Sequence, residues 1–175
     1  HLADQIIQEA HTADQPDETG VVTLPQAKRN QALHLLNYAL KLPQIWPDTR
    51  RLLLSLAPHI EQMGHHEEWV PFLLWGLQQS QDNADLEGEA ALRLYLGILS
   101  EINHDYADAR KHFTTCIKQF VALNRPSDQG KALNRLAHVA RLERQFAEAR
   151  NLLEQAQQLL DIADSEWVYN TMIKG

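Results

Sequence analysis

Histidine and carboxylate side chains are the groups in this chain best suited to chemistry, and their spacing decides what they can do. Nine histidines are present. The densest ligand-bearing stretch is His65-His66-Glu67-Glu68, with His59 one or two turns upstream. A zinc site needs four converging donors, which a helix supplies at i, i+3 or i+4, with further groups orienting the imidazoles. Consecutive residues point in different directions, and neither His59 nor Met63 completes a set. The stretch reads as a polar turn between helices, so no metal and no cofactor is expected.

His104 beside Asp105 is the other candidate, since a carboxylate can orient an imidazole for base catalysis. Catalysis also needs a nucleophile, oxyanion donors or a phosphate loop nearby. Ser100 and Thr114 fall at ordinary helix positions and no glycine-rich loop adjoins them. The chain is therefore expected not to be an enzyme. Cys116 shares a helical stripe with Phe113 and Phe120, where a thiol acts as a small buried hydrophobe. As the lone cysteine it excludes an intrachain disulfide and fits a reducing, cytoplasmic setting.

Composition narrows the class further. The chain has 175 residues and a net charge of −7, and nucleic-acid binding normally requires a basic face. No apolar run is long enough to span a membrane and no signal peptide opens the chain. Neither a nucleic acid nor a membrane is therefore expected as a partner. Seven glycines and seven prolines, beside abundant Leu, Ala, Gln and Glu, favour helix nearly throughout. The chain opens on His1 and its last stretch stops mid-pattern, which is read as a piece of a larger protein.

Helical periodicity supplies the elements. Leu2, Ile6, Ala10 and Ala13 share one face of a short helix over 2–14, followed by a loop at 14–20 and an extended connector, Val21 to Leu24. A helix should run from Pro25 to Leu42, ended by Pro43 and Pro47. Asp48-Thr49 offers an N-cap for the next, which Pro58 should kink and Gly64 terminate. After the His65–Glu68 turn, Trp69, Phe72, Leu73, Gly76 and Leu77 face inward. A third pair uses Leu92, Leu96, Gly97 and Leu99, turns at Asn103-His104-Asp105, and returns through Ala109, Phe113, Cys116, Ile117 and Phe120. A fourth uses Leu133, Leu136, Ala137 and Ala140, turns at Glu143-Arg144-Gln145, and returns through Phe146, Ala149, Leu153, Ala156, Leu159 and Leu160.

The third and fourth pairs repeat one another. Asp105-Tyr106-Ala107-Asp108-Ala109-Arg110 returns as Gln145-Phe146-Ala147-Glu148-Ala149-Arg150, with Ala109 and Ala149 forty residues apart. Arg93-x2-Leu96-Gly97-x2-Ser100 followed by Ala109-x3-Phe113 resembles the tetratricopeptide (TPR) pattern. Leu133-x2-Leu136-Ala137-x2-Ala140 with Ala149-x3-Leu153 is similar, as is Leu53-x2-Leu56-Ala57-x2-Ile60 with Trp69-x3-Leu73. Gly97 and Ala137 are expected to face Ala109 and Ala149, so that helix backbones cross closely. The aromatics of the standard motif are missing, and Trp69 replaces a small crossing residue, so its unit should pack differently. The forty-residue period resembles the extended variety of kinesin light chain and of STAND-class signalling ATPases. The Gly64–Trp69 stretch resembles the opening of arrays in STAND-type regulators.

That resemblance implies an all-α fold, a right-handed α-α superhelix of TPR-like helix pairs. Residues 1–47 would be a helical connector, 48–85 an irregular first repeat, 86–125 and 126–163 regular repeats, and 164–175 the start of a further one. In such repeats the first helix of each pair lines the concave side. Here that face carries Leu94, Tyr95, Ile98 and Glu101 in one pair and Lys131, Asn134, Arg135, His138 and Arg141 in the next, at spacings of three and four. By resemblance, Asn134 would hold a bound peptide's backbone and Lys131, Arg135 and Arg141 its acidic groups. The bland alternative is a solvated face, or one meeting further repeats or an upstream ATPase module. The expectation is a non-catalytic protein- or peptide-binding scaffold within a larger regulator. Small-molecule effector sensing over Leu94, Tyr95 and Ile98 is the alternative.

Overall fold

The computed structural model describes residues 26–39, 46–63 and 66–159, all in helices and the short turns between them. Seven α-helices are present among these residues: α1 (Gln26–Ala39), α2 (Trp46–Met63), α3 (Val70–Asp82), α4 (Leu86–Ile102), α5 (Tyr106–Ala122), α6 (Pro126–Leu142) and α7 (Phe146–Leu159). The chain divides into two compact units, His1–Gly88 and Glu89–Gly175, with the division inside α4. Within each unit the helices pack against neighbours in sequence, α1 on α2 and α2 on α3, α5 on α6 and α6 on α7. No helix of the described residues is long and apolar enough to cross a membrane. The predicted 2–14 helix, the Val21–Leu24 connector, Gly64, His65, Leu160 and the repeat beginning at 164 lie outside the described residues.

One junction is built four times. Three residues separate α3 from α4, α4 from α5, α5 from α6 and α6 from α7. The middle residue of each has a left-handed backbone: Ala84 (φ 53°), His104 (62°), Asn124 (53°) and Arg144 (61°). The residue after it donates its N–H back to a carbonyl in the preceding helix, Asp85 to Ser80 (2.8 Å), Asp105 to Ser100 (2.8 Å), Arg125 to Phe120 (2.9 Å) and Gln145 to Ala140 (2.8 Å). The left-handed residue donates to the carbonyl one residue further on, as Ala84 does to Gln81 (3.1 Å) and Arg144 to Arg141 (3.0 Å). This paired bonding is the Schellman cap, which satisfies the last carbonyls of a helix. Two of the following helices are capped at once, since the Asp85 carboxylate accepts from Gly88 N–H at 2.9 Å and Asp105 from Asp108 N–H at 3.1 Å.

In the first unit, the start of α2 differs from the sequence expectation. The helix begins at Trp46, so Pro47 lies in its first turn and the Asp48-Thr49 pair lies inside it. Proline is tolerated there because first-turn N–H groups have no intrahelical partner. Burial of the Trp46 indole, edge-on to Trp75 at 5.7 Å between ring centroids, draws the helix start upstream. α2 then continues through Pro58 to Met63. Trp69 is fully buried and meets Phe72 edge-on at 6.4 Å.

The core of the second unit gathers Ala90 and Ile98 of α4, Phe113, Cys116 and Phe120 of α5, and Ala132, Leu136 and Val139 of α6. Fully burying a side chain the size of Phe113 contributes about 2 kcal/mol. Gly97 meets the Phe113 ring: a Cβ on Gly97 would lie 2.6 Å from it. Phe146, expected to face inward, is 65% exposed. It is the first residue of α7 and projects beyond the core that Ala149 and Ala156 enter.

Ion pairs also link helices that are next but one in the chain. Arg50 of α2 reaches Asp85 (3.1 Å) and Glu87 (2.9 Å) at the start of α4. Arg110 of α5 reaches Glu143 (2.6 Å) at the end of α6, then Gln145 and Glu148 (2.8 Å) at the start of α7. The hydrogen bonds it donates to Glu148 and Glu143 raise the Arg110 pKa further, and the bond to Glu148 lowers the pKa of that carboxyl.

Candidate binding face on α4 and α6

The nine residues predicted to form a binding face fall on α4 and α6, helices joined through Glu101 and His138. The Nδ1 atom of His138 contacts the Oε1 atom of Glu101, thirty-seven residues away. Sequence reading named both residues without pairing them, because α4-to-α6 adjacency is a tertiary fact. Helical spacing places Asn134 one turn before His138 on the same face.

Burial divides the nine into two sets. Ile98 belongs to the core, and Glu101 and Asn134 are buried at 7% and 1% exposure, not surface positions as the face pattern implied. Leu94 and Tyr95 are half-buried against the core. His138 is the outer member of the polar group, its side chain 28% exposed. Lys131 and Arg141 are exposed and Arg135 half-buried. The Lys131 ammonium lies 3.6 Å from Asp128, which also takes Arg125 at 2.8 Å. Arg135 and Arg141 each have an interaction within the protein. The basic stripe is thus engaged internally.

The inner set is short of partners. Both polar atoms of the Asn134 amide and the Oε2 atom of Glu101 are buried without a hydrogen bond. Such groups are costly, since folding removes their water and returns nothing. A half-apolar strip, Leu94 and Tyr95, lies on α4, one to two turns before Glu101. What this arrangement can do chemically is take hydrogen-bonding groups from outside the chain.

Comparison with protein-family models, with curated proteins and with solved structures returned no match.

The histidine-acid pairs resolve differently from the sequence expectation. His104 contacts the Tyr106 hydroxyl (3.0 Å) rather than a carboxylate. His112 is the paired imidazole, its Nε2 atom 3.3 Å from Asp108. The Ser100 hydroxyl donates to the same Asp108 oxygen at 2.9 Å. A Ser-His-Asp relay needs the imidazole between hydroxyl and carboxylate, whereas here the carboxylate stands in the middle. Burial lowers the His112 pKa despite the attraction of Asp108. Among the described residues no three His, Cys, Asp or Glu side chains converge as a metal site. Burial also pushes the Cys116 thiol up to about 12, consistent with its predicted core position.

Proposed function

We propose that the α4–α6 face binds a protein or peptide segment, and that the protein is a non-catalytic recruiting module of a larger regulator. Junctions recurring every twenty residues support the finer reading of a TPR-type right-handed superhelix, whose concave side this face would line. The observation that carries the binding role is the Asn134 amide, buried with neither donor nor acceptor used. An extended peptide backbone presents both groups at hydrogen-bonding spacing and would meet this need. Leu94 and Tyr95 would supply apolar contact beside it.

The test is a trade between stability and binding. Asn134→Leu replaces an unpartnered amide with an apolar side chain of similar volume, a change expected to stabilise by about 1 kcal/mol. Peptides enriched from a displayed random library against the full chain should lose affinity for this variant by about tenfold, read by calorimetry. A variant that melts lower while its peptide affinities hold would show a structural amide and end the proposal.

A further inference from the structure

We infer that the group recognised at the inner end of this face is a guanidinium, an arginine side chain of the bound segment, received by Glu101. The inference rests on the peptide-binding reading and specifies its ligand. It departs from the expectation of an acidic ligand, since the cations of the outer stripe already have partners in the protein.

The Glu101 carboxylate is almost wholly buried on α4. One oxygen meets His138 and the other has no donor. One turn along α6 the Asn134 carbonyl oxygen is likewise buried without a donor. Three acceptor atoms are thus served by a single imidazole nitrogen. A guanidinium carries five N–H donors in a planar fork that matches a carboxylate with two parallel bonds. It would satisfy both Glu101 oxygens and leave an N–H for Asn134. An ammonium is a compact point charge without this fork.

His138 occupies the donor place in the unliganded protein. It is more exposed than Glu101, so rotation of its side chain towards solvent opens the carboxylate. Binding then exchanges one imidazole bond for a bidentate pair.

The experiment titrates the full chain with N-acetyl-arginine amide, N-acetyl-lysine amide and N-acetyl-citrulline amide, following the Asn134 side-chain amide signal by NMR. Saturable shifts are expected with the arginine compound below about 50 mM, as for a single-residue ligand of millimolar affinity. The citrulline compound, equal in shape without the charge, should give none. Glu101→Gln should weaken arginine binding at least about tenfold, whereas His138→Ala, removing the displaced group, should tighten it about threefold. Equal response to citrulline or lysine, weaker binding in His138→Ala, or no saturable shift each overturns the assignment. The displayed library separates this failure from failure of the peptide-binding reading. A consensus without arginine that depends on Asn134 would leave peptide binding standing and remove the guanidinium site. Absence of any consensus would remove both.

Discussion

A buried imidazole makes the clearest residue-scale statement about solution behaviour. Burial depresses the His112 pKa from its ordinary 6.5. The unfolded chain therefore binds a proton more readily than the folded one, and stability falls as pH drops below about 6.5, until the folded-state pKa is passed. Thermal melting between pH 7.5 and 5 should show this loss. His112→Gln, which cannot take the proton, should flatten that part of the profile, and an unchanged slope would place the acid sensitivity elsewhere. Asp108 opposes the shift only in part. The pair was hard to see in the sequence because His104-Asp105 is adjacent there and so drew attention. His112 and Asp108 lie one helical turn apart on α5, a spacing that brings side chains together while adjacency does not.

Junction geometry governs at the scale of the element. Helices commonly end on a left-handed glycine, yet Ala84, His104, Asn124 and Arg144 fill that place. A non-glycine residue there costs about 1–2 kcal/mol, against about 0.5–1 kcal/mol that glycine loses in the more flexible unfolded chain. Arg144→Gly should therefore stabilise by about 0.5–1 kcal/mol in chemical denaturation. A destabilised variant would mean that the Arg144 side chain contributes more than its backbone costs. The forty-residue recurrence was legible because Ala109 and Ala149, or Leu96 and Leu136, keep their chemical type. The twenty-residue spacing of the junctions was not, since Ala, His, Asn and Arg share no property beyond their imposed φ. Capping asymmetry adds to the disguise: Asp85 and Asp105 cap by side chain, whereas Arg125 makes no side-chain cap bond. The exposure of Phe146 was missed for a related reason. Its counterpart Tyr106 packs on the core, so a repeated pattern hid two different environments.

At the scale of the molecule, side-chain ties link some helices to their next-but-one neighbours: α2 to α4, α4 to α6 and α5 to α7. Arg110 is the largest of these, reaching both ends of the α6–α7 junction. Its partners are partly exposed, so the network contributes about 1 kcal/mol after solvent screening. Arg110→Met should raise amide exchange in α7 about fivefold and leave the core of α5 unchanged, since exchange reports local opening. Equal acceleration in α5 and α7 would show that the two open as one. No sequence period marks such ties. Their partners are set by which helix ends meet, as Arg50 with Asp85 also illustrates.

The equal spacing of the four junctions bears on how such a chain can change length. Matching residues such as Ala109 and Ala149 recur at forty residues, not twenty, so gain or loss of twenty residues would exchange the roles of all later helices. A change of forty residues restores them. Inheritance of length in this architecture is thereby quantised in helix pairs, whatever drift the individual positions undergo.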